Sequence, residues 1–288
     1  MLTVVIGLAS ALVYGTADFF GGLAAKRLGA VLATAIAAGV GLLLILALLP
    51  IVGGEWSSEA LQLGALSGLT GAVAIGLLYA CLAIGPMSIL SPLTAVVSAI
   101  VPMAVGLARG EAVGVLGGVA LAIALVAVVL VGFVPERGAV RPSPRGVLMA
   151  VGSGAAIGAF LVILDAAPDD SGLVPLVANR GVNSAVMFAL ALVMVLAARR
   201  RGRSPRPRAD LVAGIRLALI CGVFDALANL GLLWGVRIGD LSVIAVLTAL
   251  YPAGTIILAR VVLKERIATV QYLGLALAIA ASAMLALG

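Results

Sequence analysis

From Leu2 to Ala25 the chain carries a single charge, Asp18, and runs of the same kind recur to the C-terminus. A helix needs about 20 apolar residues to cross the hydrocarbon core of a bilayer. Ten segments meet that length, at 3–24, 30–51, 61–82, 86–108, 113–134, 146–166, 173–198, 211–235, 241–263 and 267–287. The links between them are short. The longest, Glu136–Arg145 and Arg199–Asp210, cannot hold a folded soluble domain, so the protein acts in or across the bilayer. Composition leads to the same place: 64% of residues are hydrophobic, 10% are charged, and the mean hydropathy is +1.29. A soluble domain of this make-up would expose far too much apolar surface to water. The expected fold is an all-α polytopic membrane protein, with its 36 glycines allowing close helix contacts.

No basic residue precedes the first run and Lys26-Arg27 follows it, the pattern of a retained span rather than a cleaved signal peptide. Cys81 and Cys221 lie inside apolar runs and read as small packing residues. The absence of His removes imidazole from metal binding, catalysis and proton relay.

Two segments echo each other. Ile84–Glu111 and Ile238–Glu265 both open on Ile-Gly, carry Ser three residues after that Gly, reach Leu-Thr-Ala at the middle and close on Glu. Gly85 with Gly239, Ser88 with Ser242, Thr94 with Thr248 and Glu111 with Glu265 share one offset of 154 residues. Both segments hold prolines within a helical run, which removes backbone hydrogen bonds that neighbouring protein or a cavity must then satisfy. Broken helices at corresponding positions of two halves point to a transport site. The expected organisation is a first five-helix repeat at 1–134, a linker at 135–145 and a second five-helix repeat at 146–288. An odd number of spans per repeat inverts the second copy relative to the first.

The segment 232–288, with Pro252, a Lys264-Glu265-Arg266 turn and Gln271-Tyr272-Leu273-Gly274, resembles the C-terminal repeat of EamA-type transporters of the drug/metabolite transporter superfamily. Chain length and two five-helix repeats extend the resemblance over the whole sequence. One departure is that Ser98 stands where the first copy should match Pro252, with the proline displaced to Pro102 and a further one at Pro92. The resemblance implies a ten-helix carrier of small polar or amphipathic metabolites in a bacterial-type cytoplasmic membrane.

Ten spans put both termini on one face. The opposite face carries Lys26, Arg27, Arg137, Arg141, Arg145, the arginines between 199 and 208, Lys264 and Arg266; the termini's face carries Arg109 and Arg237 with Glu55, Glu59, Asp169, Asp170 and Asp240. The positive-inside rule places the termini outside the cytoplasm, whereas the resemblance implies cytoplasmic termini; the charge asymmetry decides for outside. The arginine cluster reads as a topogenic loop contacting anionic lipid and not as a nucleic-acid site.

Ionisable groups inside spans are costly and default to functional candidates. Asp18, Arg180 and Asp225 are three. Arg180 and Asp225 lie about eight and about eleven residues from the termini's face, so at about 1.5 Å per residue they are close enough in depth to pair. Either Arg180 receives a substrate anion with Asp225 as counter-ion or proton carrier, or the two form a structural salt bridge. Asp18, with Tyr14 one turn earlier on the same side, recognises an amine, exchanges a proton, pairs with Lys26 or snorkels to the interface. Asn179 and Asn183 flank Arg180, and Asn229 follows Asp225 by one turn; each suits a polar site or helix–helix hydrogen bonding. Tyr79, Trp234 and Tyr251 are candidates for a cavity wall or for packing and interfacial anchoring. Thr94 and Thr248, like Ser88 and Ser242, suit either substrate contact or carbonyls freed by proline. Glu111 and Glu265 read as carboxylates stabilising the N-terminus of a following helix. Gly64, Gly68, Gly71, Gly114 and Gly118 read as close-packing positions.

These residues point to a secondary transporter, active or facilitative, exporting a small polar or amphipathic metabolite such as an amino acid by alternating access around a central cavity. No GxxxxGK[ST] motif occurs, so direct use of ATP is not expected. No cofactor or metal is expected, proton coupling being the open question; the partners are membrane lipid and a small molecule, and a monomer suffices although a dimer is allowed. An integral-membrane enzyme needs clustered carboxylates, metal ligands or His, and the sequence offers no such set. The alternative is a flippase for a lipid-linked intermediate, which a groove open to lipid would favour.

Overall fold

The computed structural model describes residues 1–84, 87–112, 114–132, 143–200, 208–264 and 268–287. They form α1 (Leu2–Leu28), α2 (Ala30–Val52), α3 (Ser58–Ile84), α4 (Met87–Ala108), α5 (Val115–Gly132), α6 (Pro144–Asp165), α7 (Val174–Arg200), α8 (Arg208–Ile238), α9 (Leu241–Thr248), α10 (Tyr251–Val262) and α11 (Thr269–Leu287). Seven spans are long and apolar enough to cross a membrane, Leu241–Val262 counting as one of them, and three shorter apolar stretches bring the rods to ten. Leu43, Val73, Val193 and Ile279 are exposed on the outer surface; lipid, not water, suits such a surface.

Local chemistry sets the boundaries. The single residue Gly29, at φ 79°, both ends α1 and begins α2, a backbone conformation that glycine adopts without penalty. Ser57 and Ser143 cap α3 and α6, each hydroxyl accepting an amide hydrogen three residues on, at 3.0 Å from Ala60 and 3.1 Å from Gly146. Pro144 then occupies the first helical turn, where no amide partner is lost.

The two echoing segments differ. α4 runs unbroken from Met87 to Ala108, whereas Ala249 and Leu250 interrupt the second copy between α9 and α10. Pro252 stands in the first turn of α10, so it starts a new helix instead of bending an old one. Pro102 is buried against Gly158 of α6.

The principal packing joins helices from opposite halves of the sequence: α1 on α8, α3 on α6, α5 on α11, α2 on α7, and α4 on α9. Glycines set the closest of these contacts. Gly15 lies against the Tyr251 carbonyl and the Gly254 backbone, Gly154 and Gly158 against α4, and Gly64 and Gly68 against Pro175 and Asn179 of α7. Gly71 faces Asn183, but nothing stands within 4 Å of a side chain built at Gly114 or Gly118. These last two are not the close-packing positions expected of them; Gly118 sits on the outside of α5 and Gly114 just before its start.

The end of the bundle bearing the termini is tied across its connections. The amide of Glu55 donates to Asp170 at 2.9 Å and that of Leu173 to Gly53 at 3.1 Å. Arg109 pairs with Asp165 at 2.6 Å, and Arg237 donates to Ser171 and to the Gly172 carbonyl. Glu111 accepts from the amides of Leu241 (2.8 Å) and Ser242 (3.0 Å). It therefore stabilises the N-terminus of α9, not that of its own following helix α5, because the turn at Arg109–Gly110 points its carboxylate across to the other half. Beneath this end a cluster including Ile45, Leu164, Leu176, Leu233, Leu241 and Ile244 fills the bundle. The proposed partner position Glu265, the side chains of Ser88 and Pro92, and most of the 135–145 linker with the arginine cluster lie outside the described residues.

Candidate functional site

Apolar helices leave few polar side chains to face inward, and a group of them lines one cavity of about 420 Å³. Thr34 from α2, Val131 from α5 and Gln271 from α11 contribute from the helix ends nearest the basic face, and Asp18, Gly21 and Gly22 from the same half of α1. Arg180 and Asn183 from α7, Asp225 from α8 and Tyr251, Pro252 and Thr255 from α10 line it at mid-depth. The cavity thus occupies the half of the bundle towards the basic loops, and packed side chains fill the half towards the termini. Its size is within the usual range for a small-molecule site.

Arg180 and Asp225 pair as their depths predict, Nη1 to Oδ2 at 2.5 Å. The arginine is nearly buried and the aspartate a quarter exposed, so the pair forms the inner wall. A guanidinium at this depth without a counter-ion would be strongly unfavourable. Asn229 donates from Nδ2 to the Asp225 carbonyl at 2.7 Å and to its carboxylate at 3.3 Å, and Tyr14 lies close to both residues. Tyr14 and Asn229 therefore sit behind Asp225, holding its rotamer, and neither lines the cavity. Two buried polar atoms here are without partners: Arg180 Nε, which lies against Gly41 of α2, and Asn183 Oδ1.

Asp18 is exposed, and what it faces is the cavity. It has neither a hydrogen bond nor an ion pair among the described residues. It does not pair with Lys26; the basic end of α1 is engaged elsewhere, Arg27 pairing with Asp210 at 3.1 Å. Asp225 is close enough to act on Asp18 electrostatically.

The remaining candidates divide. Tyr251 is in the wall. Asn179 turns away to donate to Ser67 of α3 at 2.8 Å. Thr94 bonds the carbonyls of Leu90 and of Ala150 on α6, so it joins helices instead of serving a proline-freed group. Thr248 and Ser242 have buried hydroxyls without partners, away from the cavity lining. Trp234 is exposed on the outer surface. The Tyr79 side chain lies outside the described residues. Sequence reasoning missed Thr34, Thr255 and Gln271. Thr255 donates to the Gly15 carbonyl, and Gln271 joins Val131 to the first turn of α11.

No curated protein matches the chain closely enough to count as a relative. One solved structure, described as "Crystal structure of protein", superposes with a TM-score of 0.75 at 17% identity, covering 99% of this chain and 96% of that one; the likeness is one of fold. The model of the family described as "EamA-like transporter family" matches residues 144–287, half of the chain, and takes in α6 to α11 with Arg180, Asp225 and Tyr251. A helical membrane fold, a polar cavity between its helices and this match identify the protein as a membrane transporter belonging to the EamA-like transporter family.

Proposed function

We propose that this is a secondary carrier, active or facilitative, that exports a small polar or amphipathic metabolite across a bacterial-type cytoplasmic membrane by alternating access. One observation carries the reading: a cavity of about 420 Å³ between the helices, with charged and amide side chains in its lining and placed towards the basic half of the bundle. The packing scheme supports two inverted five-helix repeats. Exchanging α1 with α6, α2 with α7, α3 with α8, α4 with the α9–α10 pair and α5 with α11 turns each principal contact either into itself or into another principal contact. With the basic loops in the cytoplasm, the cavity is on the cytoplasmic side, where an export substrate is collected. Asp18, Arg180, Asn183, Asp225 and Tyr251 are the proposed binding and coupling residues.

Proteoliposome transport, with and without a pH gradient, tests this reading. Substrate movement that depends on Asp225 and Arg180 is expected. Intact transport in both Asp225→Asn and Arg180→Ala sinks the site assignment, and gradient-independent transport selects facilitation over proton coupling.

A second reading, translocation of a lipid-linked intermediate, has one feature in its favour. Val31, Leu69, Val73, Ile75, Met187 and Leu190 border a groove of about 200 Å³ between α2, α3 and α7, and Ile75 also lines the central cavity.

A further inference from the structure

We propose that the central cavity selects a protonated amine, with Asp18 as its ammonium acceptor, and that Arg180 is not a receptor for substrate anions. The inference rests on the carrier reading above and names the substrate class of that same site.

The charge inventory is the first argument. Three charged side chains line the cavity among the described residues, Asp18, Asp225 and Arg180. Arg180 and Asp225 neutralise each other at 2.5 Å, which leaves one carboxylate, Asp18, facing the open volume without a counter-ion among the described residues. An uncompensated carboxylate in the low-dielectric interior of a membrane protein attracts a cation or takes a proton. A substrate carboxylate would meet the opposite situation. It would need Arg180 to leave Asp225 while Asp18 and the released Asp225 both repelled it.

The second argument is independent of charge. Asn183 lines the same cavity, and its Oδ1 atom is buried without a donor among the described residues. An ammonium group carries three donors, so it can satisfy the Asp18 carboxylate or this amide oxygen where a carboxylate ligand could satisfy neither. Apolar wall residues Ile75, Leu78, Val131 and Ile256 suit the rest of an amphipathic amine.

Reaction rates at one engineered thiol test the proposal without a known substrate. Gly22 lines the cavity, and a Cβ there meets nothing within 4 Å, so Gly22→Cys is accommodated. In a Cys81→Ser/Cys221→Ser background, the purified chain is labelled with trimethylammonium-ethyl and with sulfonatoethyl methanethiosulfonate. Both rates are normalised to those of free cysteine. The cationic reagent is expected to react at least tenfold faster, and Asp18→Asn to reduce that preference to threefold or less. Isobutylammonium at millimolar concentration is expected to slow labelling, while isovalerate is not.

Equal reagent rates, preference for the anionic reagent, no labelling by either, or no protection by isobutylammonium would each overturn the proposal. Should the Gly22→Cys chain not fold, Thr34→Cys, in the same wall, takes the same measurements. Transport in proteoliposomes is read separately, so a cavity without cation preference in a chain that still transports defeats this inference and leaves the carrier reading standing.

Discussion

The carboxylate of Glu111, in the turn between α4 and α5, accepts the amide hydrogens of both Leu241 and Ser242 at the start of α9. It joins residues separated by 130 positions and closes one end of the bundle, supplying acceptors that the first turn of a helix otherwise lacks. Replacing such a capping acceptor costs about 0.5–2 kcal/mol. Glu111→Ala is therefore expected to lower Tm by several degrees in detergent, and Glu111→Gln, which keeps one acceptor, by less. A thermal-unfolding scan reads both; an unchanged Tm in Glu111→Ala would show that the cap contributes nothing.

The Arg180–Asp225 pair calls for a double-mutant cycle. Removing one partner of a buried pair costs roughly 3–5 kcal/mol because the other charge is stranded, whereas removing both is far milder. Arg180→Ala alone is expected to unfold readily, while Arg180→Ala/Asp225→Ala regains most of the stability and remains without transport. Recovery of both stability and transport in the double variant would mark the pair as purely structural.

Glycine spacing gives opposite expectations at two sites. A methyl at Gly15 would press on the Tyr251 carbonyl and the Gly254 backbone where α1 crosses α10; overpacking of this kind costs about 1–3 kcal/mol. Gly118 on α5 has open space around it, and alanine in a helix interior gains about 0.5–1 kcal/mol over glycine. Tm should fall in Gly15→Ala and hold or rise in Gly118→Ala. Equal responses would contradict the packing described for these helices.

Topology has its own measurement. A C-terminal reporter active only in the cytoplasm is expected to stay silent, because the basic loops lie at the opposite end of the bundle from both termini. A strong signal would reverse the orientation and with it the side from which the cavity is reached.

Much of this was legible in the sequence. The apolar runs gave the helices to within a few residues, because length and hydropathy alone define a span. The pairing of Arg180 with Asp225 followed from depth, since an arginine that far from either interface needs a counter-ion. Glu111 was legible as a helix-capping carboxylate but not by partner, because its acceptor role depends on a turn that redirects it to another helix. A proline break was expected in both echoing segments, and which of them breaks was equally hidden. Both echoing segments carry proline, yet α4 stays continuous with Pro102 against Gly158, and that contact is tertiary. Gln271 and Thr255 were missed for the same reason: each is an unremarkable polar residue in its own helix, and only the neighbouring α5 and α1 carbonyls give it a role.

The ties at the end of the bundle bearing the termini have a kinetic consequence. Opening that end means giving up the Glu111 cap, the Arg109–Asp165 pair and the backbone bonds between Gly53–Glu55 and Asp170–Leu173 together. At the other end, Arg27–Asp210, an ion pair that is about half exposed, is correspondingly weak. On the alternating-access reading proposed above, release towards the termini would wait for these bonds to part together.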